Sequence, residues 1–109
     1  VYNALFAIMD GKPERLVPAR AVSLEELCAD LARRPETPFL TGDGAALVHE
    51  YLGDRAMKSV LAAGPALHQN AWGVCMAALD KPAEDAGALL PVYLRLSQAE
   101  RERQARMSR

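Results

Sequence analysis

Phe39-Leu40-Thr41-Gly42-Asp43-Gly44-Ala45-Ala46-Leu47-Val48 is the stretch on which the fold turns. An apolar pair runs into two glycines around an acid, and Leu47, Val48, Tyr51 and Leu52 then recur at helical spacing. This order predicts strand, tight turn, helix, and hence an α/β chain. Glycines let a backbone approach a phosphate, and a helix start offers free N–H groups with a partial positive charge. Gly42, Asp43 and Gly44 are therefore the candidate ligand- or phosphate-facing turn. Two observations weigh against it. Asp43 brings a negative charge to the same spot, where a plain helix cap explains it as well. The chain also has no GxGxxG run, and no Lys-Ser/Thr pair follows Gly44 to complete a phosphate loop.

Outward toward the N-terminus, residues 1–9 are apolar and aromatic and read as a strand. Asp10-Gly11 is a hairpin signal, because a tight primed turn demands positive φ. Residues 15–22 are the returning strand, with Pro18 placing it at an edge or at a bulge. Ser23 and Glu26 have capping-box spacing. Leu24, Leu27, Cys28 and Leu31 follow as one stripe, Arg33 and Arg34 favour the last turn, and Pro35 stops the helix. Pro38 opens the short strand that leads into the glycine turn.

Outward toward the C-terminus, Gly53 fits the end of the second helix. Residues 57–63 are a short strand around Ser59-Val60-Leu61 or a helical tail, and the pattern alone leaves both open. Gly64-Pro65 punctuates the chain. Residues 66–79 are the clearest helical pattern, with Leu67, Ala71, Val74, Cys75, Ala78 and Leu79 on one side and Gly73 leaving room for a close neighbour. Lys81-Pro82 ends it. Residues 89–96 are again apolar, and Ser97 with Glu100 repeats the capping box before a tail of alternating charge with almost no apolar face.

The chain has 109 residues, half of them hydrophobic and a quarter charged, with a net charge of −1. That is enough chain for one core without staples. It gives no electrostatic case for nucleic acid or an anionic membrane, and Trp72 and the tyrosines are too scattered to form a base-stacking platform. No apolar run is long enough to span a bilayer as a helix, and none has the basic flank of a signal peptide. Cys28 and Cys75 have no CxxC partner and fall on apolar helix faces, so both are expected as core thiols in a reducing compartment. His49 and His68 have no carboxylate or cysteine at ligand spacing and are expected in surface or cap roles. No serine has glycine-flanked nucleophile surroundings. The chain starts at Val1, directly in a strand-like run, which reads as a piece of a longer protein.

Leu90-Pro91-Val92-Tyr93-Leu94-Arg95, followed by Gln98-Ala99-Glu100, resembles the C-terminal signature of the TsaB (YeaZ-type) family of tRNA threonylcarbamoyladenosine biosynthesis, a glycoprotease-like, peptidase M22-like group. Pro91, Val92, Tyr93, Leu94 and Arg95 are the specific part. Val1-Tyr2-Asn3-Ala4, Leu40-Thr41-Gly42-Asp43-Gly44-Ala45, and Pro65 with the alanine-rich stretch after it agree in order. The resemblance implies half of an actin-like ATPase (ribonuclease H-like) fold: a small mixed sheet with an N-terminal β-hairpin and packed helices over residues 1–96, then a charged tail over 97–109. It implies a cytoplasmic, non-catalytic scaffold that pairs with a TsaD-type subunit and a TsaE-type ATPase. No catalytic or metal residue and no cofactor on this piece are then expected, with ATP or ADP belonging to the full complex. A glycoprotease-like hydrolase or a nucleotide-binding actin-like relative is the alternative. An exposed sheet edge adds a route to homo-oligomers.

Overall fold

The computed structural model describes residues 1–109. It is a mixed α/β chain that divides into two compact units. One holds Val1 and Val22–Ala83; the other holds Tyr2–Ala21 and Glu84–Arg109.

In the second unit, β1 (Tyr2–Met9) and β2 (Lys12–Ala21) form an antiparallel hairpin. Asp10 and Gly11 make the turn at φ +52° and +75°, the primed geometry that matches strand twist. The turn is only two residues long, so β2 begins at Lys12, opposite Met9, earlier than the apolar pattern predicts. The register slips twice. Asn3 faces Arg20 while Leu5 faces Val17, and Phe6 then faces Arg15. β2 therefore carries extra residues at Pro18-Ala19 and at Leu16, so Pro18 lies at a bulge as expected. The Arg15 guanidinium sits 5.0 Å over the Phe6 ring. Farther along, a 3-10 turn at Ala86–Ala88 leads into irregular chain. The last helix, which the elements below make α4, spans Gln98–Met107 and carries the expected capping box on Ser97.

The first unit is built on α1 (Leu24–Ala32), β3 (Phe39–Leu40), α2 (Ala45–Gly53), β4 (Val60–Leu61) and α3 (Ala71–Ala78). Its core is small: Leu27 and Leu31 from α1, Ala45, Val48 and Leu52 from α2, and Ala62 just past β4. Leu52 is fully enclosed at 0 % exposure. Burying one such leucine contributes about 1.5–3 kcal/mol. The Ser23 box is formed, with the Glu26 amide donating to Ser23 Oγ at 3.0 Å and the Ser23 amide to Glu26 Oε2 at 2.8 Å. The open choice at residues 57–63 resolves as strand: β4 pairs parallel with β3, Phe39 opposite Val60 and Leu40 opposite Leu61. The β3–α2–β4 crossover is the unit's α/β element.

Four expectations need correction. The strands form two separate two-stranded sheets, one antiparallel and one parallel, in place of one mixed sheet. β3, bounded by Pro38 and the Gly42 turn, is only two residues long and holds a single neighbour. Arg33 and Arg34 lie past the last turn of α1 and reach back to Asp30 at 3.8 and 3.4 Å. Gly53 is the last residue of α2, as expected, while the left-handed turn that follows falls three residues further on. Ala56 takes the left-handed position at φ +57°, the Met57 amide donates to Leu52 O at 2.9 Å and the Ala56 amide to Gly53 O at 3.0 Å, a complete Schellman pattern. α3 starts at Ala71, not 66, because Gly64–Ala66 is a 3-10 turn and Asn70 supplies the cap, accepting from the Gly73 amide at 2.8 Å. Cys75 on α3 is exposed, not core, since the whole of α3 is solvent-facing. Cys28 is half-buried, with its Sγ 3.3 Å from Met57 Sδ. No helix is long and apolar enough to cross a membrane.

Candidate functional site

The glycine turn is held from across the unit. After Leu40 the chain leaves β3, and Gly42 adopts φ +104°, a region that side-chain-bearing residues avoid. The Gly42 amide donates to Leu67 O at 2.6 Å. Thr41 Oγ1 donates to Ala66 O and lies 3.3 Å from Leu67 O. Residues 41 and 42 are thus tied by backbone and hydroxyl to the segment that follows the 3-10 turn. The chain then closes locally: the Ala45 amide donates to Gly42 O at 3.1 Å and the Val48 amide to Gly44 O at 3.1 Å.

Gly44 is the N-cap residue of α2, at φ −86° and ψ −3°, with no side-chain cap bond. Asp43 therefore does not cap the helix, which corrects the plain reading of that acid. Its side chain is 96 % exposed and lies 3.3 Å from His68 Nδ1, whose own side chain is 66 % exposed. His68 is at the surface as expected, but its carboxylate neighbour stands far away in sequence and no spacing rule would find it. An exposed pair of this kind contributes about 0–1 kcal/mol. Its chemical effect is to set an acid beside the start of α2, against an incoming anion.

An open groove of about 550 Å³ begins at the same place. Pro65, Ala66, His68, Asn70, Trp72 and Val74 are among its lining residues. Asn70 shapes it twice, by capping α3 and by donating from Nδ2 to Pro65 O at 3.0 Å. Trp72 stands on its wall largely exposed. The groove is apolar with a polar end at His68 and Asn70. It offers stacking on Trp72 and three hydrogen-bonding side chains, His68, Gln69 and Asn70, and no nucleophile lines it.

His49 Nδ1 and Ser59 Oγ are 2.6 Å apart, half-buried, one on α2 and one just before β4. A base beside a hydroxyl is the first two-thirds of a nucleophilic site. This pair links α2 to the start of β4, and a helix-to-strand contact of that kind could not be read from the sequence. No three His, Cys, Asp or Glu side chains converge where they could hold a metal ion. Pro91, Val92, Tyr93, Leu94 and Arg95 lie in the irregular chain between the 3-10 turn at Ala86–Ala88 and α4, and all five are exposed. They belong to the second unit, and the Gly42-Asp43-Gly44 turn belongs to the first. Glu100, in the box that follows them, has its carboxyl held below the usual glutamate value of 4.5 by the Ser97 hydroxyl first and the Ser97 amide second.

Comparison of the chain with protein-family models, curated proteins and solved structures finds no match in any of the three.

Proposed function

We propose that the chain is the C-terminal half of a TsaB-like protein, a non-catalytic scaffold in tRNA threonylcarbamoyladenosine modification. On this reading the whole protein works in the cytoplasm, pairs with a TsaD-type subunit and is joined by a TsaE-type ATPase. The observation that carries the reading is Leu90-Pro91-Val92-Tyr93-Leu94-Arg95. The order of elements supports it: a hairpin, a helix, then two parallel strands joined through α2 by a glycine turn. Half of an actin-like ATPase fold would run in that order. The Gly42-Asp43-Gly44 turn is then a relic of a nucleotide-binding architecture, and ATP or ADP belongs to the assembled complex. The test is copurification of the full-length protein with a TsaD-type subunit, together with restoration of the modified base in cells lacking their own TsaB. Failure of both rejects the reading.

A nucleotide-binding or glycoprotease-like role is the second reading. One feature favours it: the glycine turn adjoins the open groove through Ala66 and His68. Calorimetry of the chain with ATP and ADP decides. Tight binding abolished by Gly44→Val supports a nucleotide site; no heat with either nucleotide supports the scaffold.

A further inference from the structure

We propose that Met57 is a site of reversible oxidation, and that its conversion to the sulfoxide releases α1 from the end of α2. Both partners in that contact lie within the first unit. The inference is independent of the scaffold reading.

Met57 makes two joints with one residue. Its amide donates to Leu52 O at 2.9 Å and finishes α2, while its Sδ receives the Cys28 thiol of α1 at 3.3 Å. The main-chain bond fixes where the side chain starts, so the turn that ends α2 also delivers the sulfur to α1. Cys28 follows Leu27, and Leu31 lies one turn further along; both leucines are buried, as are Val48 and Leu52 of α2. The sulfur contact therefore sits at the margin of the unit's core, half-buried on both sides. The other methionines, Met9, Met76 and Met107, are exposed. An oxygen added to any of them goes into water and disturbs no core.

The chemistry is a two-electron oxygen transfer. Hydrogen peroxide gives one oxygen to the thioether: the O–O bond breaks, an S–O bond forms, the sulfur loses two electrons and water leaves. A thioether needs no deprotonation for this. A thiol does, because the thiolate is the nucleophile, and in this contact Cys28 stands as the S–H donor. Of the two sulfurs, Met57 is thus the one whose reactive form is already present. The product does not fit the contact. An oxygen now projects from an atom that touches Cys28, and a flexible apolar side chain has become a polar one beside an apolar core. Keeping the sulfoxide there costs desolvation. Turning it out to water breaks the tie to α1. Either course loosens the joint and uncovers Cys28. Methionine sulfoxide reductases, with electrons from their own thiols, remove the oxygen and restore the thioether.

The experiment uses the whole chain carrying Cys75→Ser, so that Cys28 is the sole thiol. Hydrogen peroxide is added at about pH 5, well below the ordinary thiol value of about 8.5, which confines oxidation to thioethers. Peptide mass spectrometry follows the added oxygen at each methionine. After the peroxide is removed, reaction of Cys28 with an aromatic disulfide reagent at neutral pH follows the joint. Met57 is expected to gain its oxygen after the three exposed methionines. The Cys28 rate should rise at least about tenfold in step with Met57 alone, because labelling reads the open form. Treatment with sulfoxide reductases of both stereospecificities should return the rate to its starting value. Met57→Leu, close in volume, should show no rise with peroxide. A chain carrying Met9→Leu, Met76→Leu and Met107→Leu should keep the full rise, and it supplies the readout if Met57→Leu fails to fold. The proposal is overturned if Met57 stays unoxidised once the exposed three are complete, or if the Cys28 rate ignores the Met57 sulfoxide. A rise that persists in Met57→Leu, or that the reductases do not reverse, overturns it equally.

Discussion

The amide of Met57 donates to the carbonyl of Leu52 at 2.9 Å, and the residue before it, Ala56, is held at φ +57° to allow it. The same methionine places its sulfur 3.3 Å from Cys28 on α1. One residue thus ends α2 and ties that end to α1. The position that bends the chain is an alanine, although glycine stands three residues earlier at Gly53.

Ala56→Gly should stabilise the first unit by about 1 kcal/mol, because a left-handed L-residue carries a cost of roughly 1–2 kcal/mol that glycine does not. The gain in the folded state is partly offset by the greater chain entropy of glycine when unfolded. Ala56→Val should destabilise. Urea midpoints of the three proteins give the order; a Gly variant less stable than wild type would mean that the end of α2 is not set by this position.

Leu52→Ala should cost about 2–5 kcal/mol, the range for emptying a fully enclosed leucine site. Leu47 is on the same helix but 53 % exposed, and Leu47→Ala should stay within about 0.5 kcal/mol. Thermal melts of the pair test whether the core of this unit lies on the Val48–Leu52 side of α2.

The two glycines of the turn should respond in opposite directions. Nothing lies within 4 Å of a Cβ added at Gly42, so Gly42→Ala is opposed by its φ of +104° alone, at about 1–2 kcal/mol. At Gly44 φ is −86°, and a Cβ would meet Val1 Cγ1 at 3.8 Å, an ordinary contact. Gly44→Ala should therefore be neutral, or stabilising by about 0.4–1 kcal/mol. Equal losses at both sites in a chemical melt would contradict this division of roles.

Helix α4 should lose helicity on acidification. The Glu100 carboxyl is held below 4.5 in the folded helix, so the unfolded chain binds its proton first as pH falls. The stabilisation is fully present above 4.5 and is lost as pH drops through the lower folded value. Far-UV circular dichroism between pH 6 and pH 2, taken as roughly the carboxylate range, should show the loss, and Glu100→Gln should flatten it.

The sequence is a good guide to what is local. Asp10-Gly11, Ser23 with Glu26 and Ser97 with Glu100 each name their structure within four residues, and each forms as read. It is a poorer guide where the deciding partner is remote. Asp43 looks like a cap because caps are local, yet its partner is His68. The alanine-rich stretch from residue 66 reads as one helix, but Asn70 sets its start by bonding both Pro65 and Gly73. Cys75 sits on an apolar stripe by spacing and is still exposed, because periodicity marks a face and cannot supply what covers it. The Gly42-Asp43-Gly44 turn itself was legible as a junction; its anchoring to Leu67 was not.

The ties from Thr41 and Gly42 end on the main-chain carbonyls of Ala66 and Leu67. A carbonyl is the same whatever side chain accompanies it, so the identity of residues 66 and 67 matters little to the turn. Their count along the chain matters a great deal. Inserting or deleting one residue between β4 and Leu67 would swing a different carbonyl toward Gly42, while a substitution at 66 or 67 would leave the tie intact. The turn is thus tolerant of spelling at its anchor and intolerant of length, and variation among sequences that keep it should appear as exchanges at 66 and 67 without gaps, with the buried Ala62 and the left-handed Gly64 held.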